Sequence, residues 1–212
     1  MLCKKPVRVG VNAYPCLQCM PCRMNRRRVW KHRIWLEAMK HERNSFVTLT
    51  YDDEHLPAGG TLVPRDFQLF IKRLRFCLSD VVPFRYYGVG EYGDTSWRPH
   101  YHAALFGVGP ELAQVVNKVW GLGHTMSGDL SLASAEYIAG YVTKKMTKKD
   151  DVRLQGRHPE FARMSLKPGI GADAMSDVGA SLTGALERYS LSPMDVPCSL
   201  RHGGKDLPLG RY

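Results

Sequence analysis

The sequence predicts an α+β fold: a central, mostly antiparallel sheet flanked by helices, with a Cys-rich basic segment before it and an irregular tail after it. Three observations carry this. Short β-rich runs alternate with segments of helical period. The second and third strand-like runs are joined by a hairpin-length turn. At 212 residues, 44% hydrophobic and 10% aromatic, the chain has enough apolar surface for a real core. Wholesale disorder is excluded, as is a transmembrane helix, since no run approaches ~18 consecutive apolar residues. The Met1-Leu2-Cys3-Lys4-Lys5-Pro6 start has no apolar run behind it, so no secretory signal is expected.

The elements follow in order. Cys16-x-x-Cys19-x-x-Cys22 leads through Arg23-Met24-Asn25-Arg26-Arg27-Arg28 into a helix running to about Arg43, with Trp30, Ile34 and Ala38 on one stripe. Phe46 to Tyr51 is rich in β-branched and aromatic residues and reads as a strand that stops at Asp52-Asp53-Glu54-His55. Pro64 opens a helix whose apolar face is Phe67, Phe70, Ile71, Leu74 and Leu78. Phe84–Tyr92 and His100–Phe106 read as strands joined by a turn at Gly93-Asp94-Thr95-Ser96. From Pro110 a helix places Leu112, Val115, Val116, Val119 and Trp120 together; a short strand near His124–Leu130 and a helix from about Ala133 to Lys148 follow. Beyond Asp151 the chain is Gly- and Pro-rich, with one helix expected near 173–189. The expected organisation is a Cys-rich basic segment and helix over 1–45, a core over 46–150 and an extension over 151–212.

Charge is concentrated at one end. Residues 1–45 carry eleven basic and two acidic side chains, which is +9 of the total +10. A basic head on a nearly neutral body points to a polyanionic partner, most simply nucleic acid, with Arg23, Arg26, Arg27 and Arg28 as candidate contacts. Cys16, Cys19 and Cys22 have a spacing that can wrap one tetrahedral soft metal, and Cys3 can supply a fourth thiolate to Zn²⁺. An iron–sulfur cluster uses similar ligands, and plain reduced cysteines are the bland alternative.

The chemistry sits in the middle of the chain. In Arg98-Pro99-His100-Tyr101-His102 the two histidines share one strand face and Tyr101 takes the other. Glu91, near the end of the preceding strand, can complete a 2-His-1-carboxylate set suited to Mg²⁺ or Mn²⁺ carrying a phosphate oxygen. The glycines around Glu91 are expected to admit a backbone or ligand. In the last helix of the core Tyr137, Tyr141, Lys144 and Lys148 fall on one side, opposite Ala135, Ile138, Ala139, Val142 and Met146. Together these suit phosphoryl transfer, in which a phenolate attacks phosphorus and leaves a covalent phosphotyrosine.

His100-Tyr101-His102, Glu91 and the Tyr-x3-Tyr helix, preceded by the strand Phe46–Tyr51, resemble the HUH endonuclease superfamily. More narrowly, Cys16–Cys22, Phe46–Pro57, Tyr87–Gly107 and Tyr137–Lys145 are similar to the replication initiators of gokushovirus-type single-stranded DNA phages (Microviridae). The resemblance implies a rolling-circle initiator that nicks the origin strand and stays on the 5′ phosphate through tyrosine, leaving a 3′-OH for a host polymerase. It implies His100, His102 and Glu91 as metal ligands. It implies Tyr141, in a Tyr-x-x-Lys setting with Lys144, as first-choice nucleophile, Tyr137 as the second, and Lys145 and Lys148 as further DNA contacts. No Gly-x4-Gly-Lys-Ser/Thr is present, so a host helicase is expected to unwind the DNA. Host-cell cytoplasm is the expected location. The end at Tyr212 is earlier than this resemblance leads one to expect. A non-enzymatic, zinc-stabilised nucleic-acid binder is the alternative reading. It explains the head but not the shared face of Tyr137, Tyr141 and Lys144.

Overall fold

The computed structural model describes residues 3–78, 83–143, 151–189, 198–202 and 204–209. Its centre is a five-stranded sheet built from β3 (Asn44–Thr50), β4 (Arg85–Tyr92), β5 (Pro99–Phe106), β6 (Thr125–Asp129) and β7 (Phe161–Met164). The order is β6-β3-β5-β4-β7 and every pairing is antiparallel. Two small hairpins stand apart from it, β1 (Val7–Val9) with β2 (Asn12–Tyr14) and β8 (Ser199–His202) with β9 (Lys205–Pro208).

Period-two alternation gives the sheet two different faces. One presents Val47, Leu49, Tyr101, Ala103 and Leu105 to α2 (Pro64–Leu78) and α3 (Ala113–Trp120), forming the larger core with Phe67, Phe70 and Trp120. All five apolar positions that marked α2 in the sequence are buried. The other face presents Tyr87, Val89, Ala104 and Phe106 to α1 (Met20–Met39) and α4 (Leu132–Ala139), through Ile34, Ala38, Ala135, Ile138 and Ala139.

Local chemistry sets the helix ends. Pro21 starts α1, Ser131 and Ser134 form a capping box on α4, and Gly121 takes a left-handed φ of 60° to close α3. Gly123 then crosses the end of β3 so closely that a Cβ would lie 2.3 Å from the Asp52 nitrogen. The N-terminal helix ends at Met39, earlier than the sequence pattern suggests, where Asn44 Nδ2 donates to the carbonyls of Ala38 and His41.

The expected irregular tail contains more order than its composition suggests. Its predicted helix is α5 (Met175–Tyr189), and residues 161–164 add the fifth strand to the sheet. A four-residue run has too little periodicity to announce a strand. Its partner β4 supplies the reason, pairing Tyr87, Gly88, Val89 and Gly90 with Met164, Arg163, Ala162 and Phe161.

A buried polar cluster ties these layers. Glu37 on α1 is 1% exposed, accepts from Arg85 Nε and from the Gly171 N–H at 2.6 Å, and lies 3.4 Å from His41. Arg33 Nε donates to the Ile170 carbonyl at 2.9 Å. The loop after β7 is thus stapled to α1 through paired polar groups, as burial requires.

Candidate metal centre and tyrosine helix

Antiparallel register assembles the centre. Glu91 on β4 lies opposite His100 on β5, and Thr48 on β3 lies opposite His102. All four belong to the face that receives α1 and α4. Glu91 Oε1 is 3.4 Å from His100 Nε2 and 3.4 Å from His102 Nε2. Glu91 and His102 are buried, at 4% and 7% exposure. Tyr101 points the other way, into the larger core, where its hydroxyl lies 2.8 Å from that of Tyr51 and donates to the Val63 carbonyl at 3.0 Å.

The histidines are oriented from behind. His100 Nδ1 donates to the Arg98 carbonyl at 3.1 Å, which leaves the Nε2 lone pair of the neutral ring facing Glu91. His102 Nδ1 lies 2.9 Å from Thr48 Oγ1, and Phe46 stacks on the same ring at 5.4 Å and 16°. The three candidate ligand atoms lie within 4.8 Å of one another. A cation with ~2.1 Å bonds needs neighbouring donors about 3–3.5 Å apart, so Glu91, His100 and His102 fit one metal ion with positions left open. One carboxylate and two imidazoles suit a divalent cation of the Mn²⁺ or Mg²⁺ kind.

The two tyrosines are separated by the way their helix ends. Tyr137 is 54% exposed; its hydroxyl donates to Glu91 Oε1 at 3.2 Å and lies 3.4 Å from His102 Nε2. Tyr141 does not stand beside it. Residues 140–143 tighten into a 3₁₀ turn, which advances more per residue than the α-helix assumed by the sequence pattern. Tyr141 therefore turns into the sheet, half-buried against the smaller core, and donates to the Glu160 carbonyl at 2.8 Å. Burial, then the carboxylate of Glu160, pushes its phenol well above the ordinary tyrosine range. Lys144, Lys145 and Lys148 lie outside the described residues.

The glycines flanking Glu91 have a different use from the expected one. A Cβ on Gly88 would sit 2.2 Å from the Phe67 ring, and one on Gly90 would sit 2.7 Å from Phe161. They face the larger core, away from Glu91, and admit aromatic rings instead of a ligand.

Glu136, one residue before Tyr137, was silent in the sequence. It pairs with the buried Lys31 and lies 3.8 Å from Arg27, whose Nε also donates to the Glu136 carbonyl at 3.4 Å. Lys31 and then Arg27 hold its carboxyl below the usual range against the opposing effect of burial. The helix with the basic stripe thereby grips the helix with the tyrosine. Of the four arginines singled out as DNA contacts, Arg26 and Arg28 are exposed while Arg23 and Arg27 are half-buried. Arg28 donates to the Asp206 carbonyl at 3.3 Å.

At the start of α1 the sulfurs of Cys3, Cys16, Cys19 and Cys22 converge within 4.8 Å of one another. Cys3 and Cys19 are 3.8 Å apart, Cys16 and Cys22 4.0 Å, against about 3.8 Å for the edge of a tetrahedron with ~2.3 Å metal–sulfur bonds. Backbone N–H groups, chiefly those of Lys4 and Cys22, bring the Cys19 thiol down to about 6. Burial, with the neighbouring thiols, pushes Cys22 up to about 12. The four-sulfur set fits a soft tetrahedral cation.

The sequence model of a family of replication-associated proteins, those of the ORF2 type, matches residues 44–150. The chain is 33% identical over 191 residues to "Replication-associated protein VP4" of Bdellovibrio phage phiMH2K, covering 71% of this chain and 60% of the relative. It is 35% identical over 182 residues to "Replication-associated protein ORF2" of Spiroplasma virus 4, covering 76% and 56%. Identity to "Replication-associated protein ORF4" of Chlamydia phage 1 is 29% over 181 residues, covering 75% and 45%. The chain thus spans about half to three-fifths of the length of these curated relatives. No solved structure matches it.

Proposed function

Because the chain belongs to the ORF2-type family of replication-associated proteins, we propose that it initiates rolling-circle replication of a single-stranded phage genome by nicking the origin through tyrosine transesterification. Tyr137 lying against the Glu91, His100 and His102 set is the observation that carries this reading.

Glu91, His100 and His102 are the residues that hold Mg²⁺ or Mn²⁺, and a cation there supplies charge to polarise the scissile phosphate. Thr48 and the Arg98 carbonyl keep the two imidazoles aimed. Tyr137 provides the attacking oxygen. A bond forms from its phenolic oxygen to phosphorus, the bond from phosphorus to the 3′ oxygen breaks, and the phenolic proton ends on that 3′ oxygen. The product is a 5′-phosphotyrosine and a free 3′-OH, with the bond energy kept for later rejoining. Tyr141 is the second nucleophile of this proposal and must leave the Glu160 carbonyl before it can act. Lys144 supplies positive charge to the developing phenolate.

Arg23, Arg26, Arg28 and Arg27 on the basic helix, with Lys145 and Lys148, contribute phosphate contacts in this reading. Cys3, Cys16, Cys19 and Cys22 hold a structural Zn²⁺. A host helicase and polymerase complete the reaction in the host cytoplasm; among the described residues no helix is long and apolar enough to cross a membrane.

The test is a search for a covalent adduct on a denaturing gel, using labelled single-stranded origin DNA with Mn²⁺ and, in parallel, EDTA. A Mn²⁺-dependent adduct that maps to Tyr137 is the expected result. Tight, salt-sensitive binding without an adduct across a broad oligonucleotide pool would instead support the non-enzymatic zinc-stabilised binder.

A further inference from the structure

We infer that the β1–β2 hairpin is a single-stranded nucleic-acid grip, separate from the tyrosine site, and that metal on the four cysteines holds it in shape. The hairpin is built entirely between Cys3 and Cys16. Its strands are three residues each, paired Val7 to Tyr14, Arg8 to Ala13 and Val9 to Asn12. All six strand residues are exposed, so the hairpin gains little from burial. A two-stranded hairpin of this size is marginal in water by itself. What closes it is the sulfur cluster at its base, where the Cys16 N–H points to Cys3 Sγ at 3.3 Å and the Cys19 N–H to Cys16 Sγ at 3.3 Å. One cation bound by four thiolates would join the two ends of the hairpin to each other and to the start of α1.

The faces of the hairpin identify the occupant. Pairing and alternation put Val7, Val9 and Tyr14 on one side, at 55%, 63% and 51% exposure, and Arg8 on the other. Lys4 and Lys5 lead into it and are exposed. No Asp or Glu occurs before Glu37. An apolar patch carrying a tyrosine ring and surrounded by cations, with no carboxylate in its segment, is mismatched to another basic surface and matched to a polyanion with flat apolar faces. A strand with unstacked bases has both properties, whereas a duplex keeps its bases stacked inside. The strand's phosphates would face Lys4, Lys5 and Arg8, and a base would stack on Tyr14.

The full-length chain would be tested by anisotropy with a fluorescent single-stranded oligonucleotide, without Mn²⁺, across a salt series. Tyr14→Ala should weaken binding roughly 5- to 150-fold, the range for losing one stacked base. Lys5→Ala with Arg8→Ala should lower the slope of log K against log salt by about 1.4. Elemental analysis should find one zinc per chain, Co²⁺ should give the absorption of a tetrahedral thiolate site, and Cys3→Ser with Cys16→Ser should lose both together with the Tyr14-dependent part of binding. Should the cysteine variant not fold, the hairpin variants still decide, because their side chains are exposed. Wild-type affinity and salt slope in both hairpin variants would overturn the grip, as would a chain that binds normally without metal. Hairpin-dependent binding with no adduct under any condition would sink the nickase reading and leave this one standing; an adduct with hairpin-independent binding would do the reverse.

Discussion

Replacing each tyrosine of the helix by phenylalanine separates their roles, and the two changes should fail differently. Tyr141→Phe removes a hydroxyl that donates to a carbonyl at 2.8 Å from a half-buried position. Losing that bond and leaving the Glu160 carbonyl without it costs about 1–2 kcal/mol, or roughly 2–8 °C in Tm for a chain of this size. Its effect on the first nicking step should stay within about threefold, under ~0.7 kcal/mol in the barrier. Tyr137→Phe removes a hydroxyl from a ring that is 54% exposed, so stability should move by no more than ~0.5 kcal/mol. The adduct should fall at least ~100-fold, about 2.7 kcal/mol in barrier, because the oxygen nearest the Glu91, His100 and His102 set is gone. The assay is adduct yield against time on a denaturing gel, paired with thermal unfolding of the same preparations. Full adduct yield from Tyr137→Phe, with none from a normally stable Tyr141→Phe, would refute the assignment. It would also mean that the 3₁₀ turn at 140–143 is not the working geometry.

Other expectations follow from the same contacts. Thr48→Val deletes the oxygen that orients His102 at 2.9 Å, and Mn²⁺ affinity by calorimetry should drop about 10- to 100-fold; unchanged affinity would deny the threonine any orienting role. Glu37→Gln breaks a buried pair with Arg85 and should cost about 3 kcal/mol by urea unfolding near neutral pH. Burial raises the Glu37 carboxyl, but hydrogen bonds from His41, Gly171 and Arg85 outweigh it and leave it below its usual range. Its contribution is therefore fully present above the unfolded value of ~4.3 and is lost as pH falls through the lower folded value. The gap between wild type and Glu37→Gln should close over that window, and a gap constant down to the acid transition would contradict the sign. Gly88→Ala puts a Cβ 2.2 Å from the buried Phe67 ring and should destabilise by ~3 kcal/mol or more, measurable as a lower urea midpoint with Mn²⁺ affinity tracking the folded fraction.

Local order in the chain was enough for much of the fold and part of the site. The spacing of Phe67, Phe70, Ile71, Leu74 and Leu78 marked α2 and its buried face together, because helical period and burial are one signal there. Alternation alone put His100 and His102 on one side of a strand and Tyr101 on the other, where the larger core holds it. The hairpin between β4 and β5 brought Glu91 opposite His100 from neighbours in sequence. Residues 161–164 were illegible for the opposite reason: a strand of four takes its conformation from the partner it pairs with.

What the sequence determined, then, is whatever repeats within one element: periods, alternation, the H-x-H pair and the CxxCxxC spacing. Tertiary structure alone decided which parts meet across elements. Pairing of β3 with β5 put Thr48 behind His102, and docking of α4 on α1 gave Glu136 its two cations. The fold of the N-terminal segment brought Cys3 back to the other three cysteines. Above all, tightening at residues 140–143 set Tyr137 against the metal ligands and Tyr141 against a backbone carbonyl. Two tyrosines four apart look equivalent along an ideal helix. They differ here because helix pitch at a terminus is set by what the last turn packs against, and that surface comes from elsewhere in the chain.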